Sequence, residues 1–134
     1  MNMLSIEQQS KPLSLKEISI SFLQNVAAGN VREVYQKYVG PDFLHHNPFF
    51  PGDSKSLMIA MEENATKKPN KRFEVKLAIQ EKDIVTVFSH IKQNPEDFGA
   101  AVVHIFRFKD NQIVEMWDVS QLIPEDSPNK NGMF

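Results

Sequence analysis

Apolar residues recur at helical spacing from Ser14 to about Thr66 and alternate with polar ones from Phe73 onward, so the period changes from 3.6 to 2 near mid-chain. Ser14 and Glu17 match a capping box, in which hydroxyl and carboxylate each satisfy an orphaned backbone N–H. A helix is predicted from there, with Leu15, Ile18, Phe22 and Val26 on one face and Gly29 as its left-handed stop. Asn30 with Glu33 repeats the pattern before Val31, Val34, Tyr35 and Tyr38, which stripe a second short helix ending at Gly40 and Pro41. In Asp42 to Pro48 the proline biases Asn47 toward extended backbone, predicting a short strand or extended loop. Asp53 or Ser54 caps a third helix carrying Leu57, Met58 and Met61.

Phe73, Val75, Leu77 and Ile79 alternate with Glu74, Lys76 and Ala78, the pattern of a half-buried strand. Ile84 to Lys92, Ala100 to Lys109 and Gln112 to Ile123 are apolar on both faces. Such strands need two covers. Three helices cover one side, and a second copy of the chain is expected on the other, through Val103, Ile105, Trp117 and Val119. The predicted class is α+β, a curved antiparallel sheet wrapped around three N-terminal helices in one domain over 1–134. Residues 1–13 are expected to form an N-terminal arm and 124–134 an irregular tail. A cavity between curled sheet and helices is the expected ligand site.

A length of 134 residues suits one core, and a net charge of -2 without a basic stripe argues against nucleic acid. No apolar run approaches the ~20 residues of a membrane helix. Met1 to Leu13 lack the pattern of a secretory signal, so a cytoplasmic protein is expected. The absence of cysteine removes disulfides, thiolate nucleophiles and Cys-ligated zinc. Glycine loops for phosphate and a nucleophile elbow are lacking too.

Two turns compete in the hairpin around Asp110 and Asn111. A two-residue turn places Asp118 on the face of Val103 and Ile105; a three-residue loop with Asn111 left-handed places Asp118 beside Val102, with His104 opposite Met116. The second is preferred because Asn tolerates the left-handed well. One face then carries Val102, His104, Phe106 and Phe108 with Val114, Met116, Asp118 and Ser120, and the other carries Arg107, Glu115, Trp117 and Gln121. Thr86, Phe88 and His90 offer a matching inward alternation. Polar groups on an apolar wall demand mutual hydrogen bonds, water, a ligand or a metal. His46, His90 and His104 with Asp118 have the ligand types of a three-histidine, one-carboxylate metal site, but no local spacing supports one, and no metal or cofactor is expected. Of the adjacent pair, His45 is expected at the rim, since neighbours on extended backbone point to opposite sides.

Phe106-Arg107-Phe108 followed by Ile113-Val114-Glu115-Met116-Trp117-Asp118-Val119-Ser120-Gln121 resembles the ending of SnoaL-like proteins of the nuclear-transport-factor-2-like superfamily. Tyr38 with His46-Asn47-Pro48, and Ser89-His90-Ile91-Lys92, resemble two further segments of that group. The resemblance implies a cone-shaped α+β barrel, usually dimeric through the outer sheet face. It also implies a pocket aspartate that serves polyketide cyclase members as acid and base in an intramolecular aldol closure without metal or cofactor. Asp118 takes that position, and His46 and His90 carry over as pocket histidines. Met116 stands where close relatives have His, and His104 where they often have Asp. The expected site is Asp118 as base, assisted by His90, His104 or His46, with Tyr38, Asn47, Phe22, Phe88, Phe106, Phe108 and Met116 binding an apolar carbonyl compound. The contrasting class is a non-catalytic ligand-binding or dimeric scaffold domain.

Overall fold

The computed structural model describes residues 11–134, so most of the predicted N-terminal arm lies outside the described residues. Helix α1 (Leu15–Ala28) starts at the predicted capping box, with the Glu17 amide donating to Ser14 Oγ and the Ser14 amide to Glu17 Oε1, each at 3.1 Å. It stops at Gly29, whose φ of +97° suits a residue without Cβ. Helix α2 (Val31–Tyr38) follows at once. Asn30 makes no side-chain cap there, because its amide donates back to Asn25 Oδ1. Helix α3 (Ser54–Lys67) is capped by Asp53, which accepts from the Ser56 amide at 2.8 Å.

Strand β1 (Val39–His45) begins directly at the end of α2, and β2 (Arg72–Glu81), β3 (Ile84–Lys92), β4 (Ala100–Lys109) and β5 (Gln112–Leu122) follow α3. They form one curved, open sheet in the order β1-β5-β4-β3-β2, antiparallel except that β1 lies parallel to β5. The α+β class is as expected, with a parallel edge added. Among the described residues no helix is long and apolar enough to cross a membrane.

The helices cover one face. Phe22, Val31, Val34 and Tyr35 meet Val85, Val87, Phe106, Phe108, Ile113 and Met116 in a continuous core. Phe22 stands edge-on to Phe106 with centroids 5.9 Å apart, and tilted against Tyr35 at 5.2 Å.

The strict alternation predicted for β2 does not hold. The register shifts between Val75 and Leu77, so Val75 pairs with Ser89 while Leu77 pairs with Phe88. One extra residue in a period of 2 reverses every later side chain. Phe73, Val75 and Ala78 therefore pack on the core, and Leu77 and Ile79 face outward, 49% and 61% exposed. β3 likewise buries Val85, Val87 and Ser89, not Thr86, Phe88 and His90. The predicted tail returns to the outer face, where Phe134 packs on Phe88 and His90 at 5.3 and 4.8 Å and beneath the Lys76 ammonium.

Phe106, fully buried between both layers, is the most sensitive point of this core. Phe106→Ala is expected to cost about 3–5 kcal/mol in urea-induced unfolding, from lost burial and the cavity left behind.

Candidate functional site

The β4–β5 hairpin decides where the aspartate points, and neither predicted register describes it fully. Asp110 and Asn111 both adopt positive φ, 51° and 61°, the conformation of a two-residue type I′ turn. Phe108 accordingly pairs with Ile113, but Arg107 pairs with Glu115, so Val114 is an extra residue on β5. Beyond this bulge Phe106 lies opposite Met116 and His104 directly opposite Asp118. Met116 is thus not the partner of His104, and Ile113 takes the buried place expected for Val114. Direct opposition brings the two Cβ atoms to about 5 Å.

Asp118 is half-buried, with Asn47 Nδ2 donating to its Oδ2 at 3.0 Å. Among the described residues no donor occupies its other oxygen. His104 lies beside Val87, its ring stacked on Phe106 with a centroid separation of 6.1 Å, and its buried Nδ1 has no hydrogen-bond partner among the described residues. Burial lowers its pKa from the ordinary 6.5 to about 4, partly opposed by the Asp118 charge, so the ring is neutral at pH 7. Burial first, and the Asp118 carboxylate second, push the Tyr35 phenol far above its ordinary value. Tyr35 was legible only as part of a helical stripe. Ser89, whose buried hydroxyl lacks a partner among the described residues, was legible only by the parity of β3.

A groove of about 430 Å³ opens over the carboxylate, lined by His46, Asn47, Pro48, Phe49, Asp118, Val119 and Ser120. Its volume lies in the range of small-molecule sites. Phe22, Phe106, Phe108 and Met116, expected to line a deep chamber, are instead buried in the hydrophobic core. Tyr38 borders a separate cavity of about 530 Å³ with Lys11, Ile18 and Asn111.

Two predicted residues stand on the opposite face of the sheet. Phe88 and His90 lie on the outer face, and the His90 ring nitrogen Nε2 bonds the Phe98 carbonyl at 2.8 Å. The order of the adjacent histidines is the reverse of that expected: His45 is buried and His46 exposed. Pairing of His45 with Met116 sets this parity, and His46 reaches the outer face, stacked on Trp117 at 5.0 Å with its Nε2 on Glu115 at 2.7 Å. His46, then Arg107, hold the Glu115 carboxyl below its ordinary range by hydrogen bonding. His46 therefore edges the groove without pointing at Asp118. The three-histidine, one-carboxylate set is not assembled, and among the described residues no three His, Asp or Glu side chains group as metal ligands.

A family model described as SnoaL-like polyketide cyclase matches residues 18–124. No curated protein matches the chain. Among solved structures, an NTF2-like protein of unknown function from Cytophaga hutchinsonii superposes with a TM-score of 0.68 at 14% identity, over 84% of this chain and 94% of that one. IdmH from Streptomyces antibioticus, a proposed polyketide cyclase, gives 0.65 at 17% identity over 81% and 93%. AclR from Streptomyces galilaeus, a proposed hydroxylase, gives 0.61 at 22% over 81% of each. At these identities the likeness is one of fold.

His104 makes stability depend on pH. The folded chain binds its proton less readily than the unfolded chain, so the contribution of the neutral ring is complete above about pH 6.5 and is lost as pH falls toward about 4. Against a His104→Gln variant, urea titrations across this window are expected to show wild type losing on the order of 2 to 3 kcal/mol more.

Proposed function

The chain belongs to the SnoaL-like polyketide cyclase family, and from that premise we propose that it binds an apolar, carbonyl-bearing molecule over Asp118 and catalyses proton transfer on it, as an aldol cyclase or isomerase. The observation that carries this reading is the carboxylate itself: half-buried beneath a groove, with one oxygen held by Asn47 and the other, among the described residues, without a donor. A base needs this arrangement. One oxygen is anchored so that the second faces the proton to be removed.

With the substrate carbonyl toward the β4 side, Asp118 takes the α-proton and negative charge moves onto the carbonyl oxygen. We assign the stabilising donor to the Tyr35 hydroxyl, whose pKa is raised by burial and then by the Asp118 charge. Neutral His104 stands opposite the base, and its ring nitrogen, unbonded among the described residues, is available to a substrate oxygen or water. The enolate carbon then attacks a second carbonyl of the same molecule or recovers the proton at another position. Asp118 returns its proton in either case. Phe49 and Pro48 at the groove's edge suit a flat apolar ligand.

The outer face supports a second element of the proposal, homodimerisation. Val103, Ile105, Trp117 and Val119 form its centre, with Leu77 and Ile79 on the flank, and Val119 is 72% exposed in the single chain. An apolar face of this kind is covered in most proteins.

Asp118→Asn is expected to keep the fold, checked by circular dichroism, and to lower kcat on a turned-over carbonyl substrate by about 10²- to 10⁴-fold. Tight ligand binding that survives Asp118→Asn, with no turnover in wild type across a carbonyl panel, supports the non-catalytic binding class instead. Wild type is expected to sediment as a dimer at micromolar concentration and Val119→Glu as a monomer; a monomeric wild type defeats the dimer proposal.

A further inference from the structure

His45 belongs to no part of the chemistry above, yet it is 5% exposed and both ring nitrogens are engaged. Nε2 lies 2.6 Å from the Pro51 carbonyl oxygen, which can only accept, so Nε2 carries the hydrogen. Nδ1 then bears the lone pair and accepts from the Asn47 amide at 3.1 Å. One tautomer satisfies both bonds.

The two partners are the near and far ends of a single excursion. The chain leaves β1 at His45, runs through Asn47-Pro48-Phe49 and returns at Gly52, whose carbonyl accepts from the His45 amide at 3.2 Å. Leu44 bridges Asp53 just beyond, at the cap of α3. The imidazole spans the inside of this loop and ties its start to its finish. Asn47 is the residue so tied: its Oδ1 accepts from the Phe49 amide at 2.9 Å, which leaves Nδ2 directed at Asp118.

We propose that His45 is a positioning residue, which acts through the Asn47 loop to hold the donor on Asp118. Its bonds run to backbone and not to substrate, so it touches no reacting atom. The proposal rests on Asp118 being the working carboxylate. Loss of the imidazole frees the Asn47 backbone amide, the loop loses its cross-tie, and the Asn47 side chain no longer dwells on Oδ2.

The test uses NMR on the full, isotopically labelled chain without ligand. His45 is expected to show the nitrogen pattern of the Nε2–H tautomer at neutral pH; the Nδ1–H tautomer overturns the proposal. Loss of a charge-assisted bond is expected to speed hydrogen exchange of the Asn47 side-chain amide by about tenfold in His45→Ala. His45→Asn places an acceptor near the position of Nδ1 and is expected to stay within about twofold of wild type, whereas His45→Gln keeps only the donor toward Pro51 and is expected to behave like His45→Ala. Unchanged exchange in His45→Ala, or equal effects of Asn and Gln, overturns it. Should His45→Ala fail to fold, the Asn and Gln pair and the tautomer decide. Where a substrate is turned over, His45→Ala lowers kcat with KM held, and adding it to Asn47→Ala lowers kcat no further; additive losses overturn the proposal. The amide measurement needs no turnover, so failure of the acid/base reading and failure of this one are separately visible.

Discussion

One residue out of register holds the site together. A type I′ turn at Asp110 and Asn111 with regular strands behind it would set Asp118 opposite Val103, facing away from the helices. The extra residue at Val114 reverses every side chain beyond it. Met116 and Asp118 then face the helices, while Glu115 and Trp117 go outward and meet His46. The inner chemistry and the outer surface are two results of the same backbone irregularity.

Beyond the bulge the inner face carries more polarity than a core tolerates unaided. Among the described residues Asp118 takes one bond, from Asn47, while His104 Nδ1 and Ser89 Oγ are buried without partners. Ser89 pairs with Val102 and His104 with Val87, which makes the two diagonal neighbours on the inner wall, about 7 Å apart. Each unpaired group costs free energy that regular packing does not return. Such groups are kept where a water or a bound molecule completes them. The inner wall beside Asp118 is thus polar, with Phe106 stacked against His104 within it.

The parts of this arrangement differ in how plainly the sequence announces them. Capping at Ser14 and Asp53, the stop at Gly29 and the extents of β3 and β4 depend on neighbours within a few residues, and they stand where periodicity and capping chemistry put them. Parity is another matter. β3 is apolar on both faces, so nothing local chooses Val85, Val87 and Ser89 over Thr86, Phe88 and His90; the choice comes from pairing with β4. The reversal of His45 and His46 follows from a parallel pairing with β5, across some seventy residues of chain. Both bulges, at Lys76 and Val114, lie in runs whose alternation gives no hint of an extra residue. Asp118 and Asn47 were legible as site residues through a family resemblance, whereas Tyr35 and Ser89 became visible once helix and sheet were assembled.

The irregularity in β2 has its own effect, because β2 is an edge of an open sheet. A flat, apolar border strand offers a template on which stray chains add as further strands, the first step of aggregation. Here the ladder is interrupted at Lys76, whose ammonium pairs with Glu74 at 3.1 Å and lies over the Phe134 ring. Twist and charge at that point blunt the template. The same displaced residue that turns Leu77 and Ile79 outward thus also makes this border a poor template for a further strand.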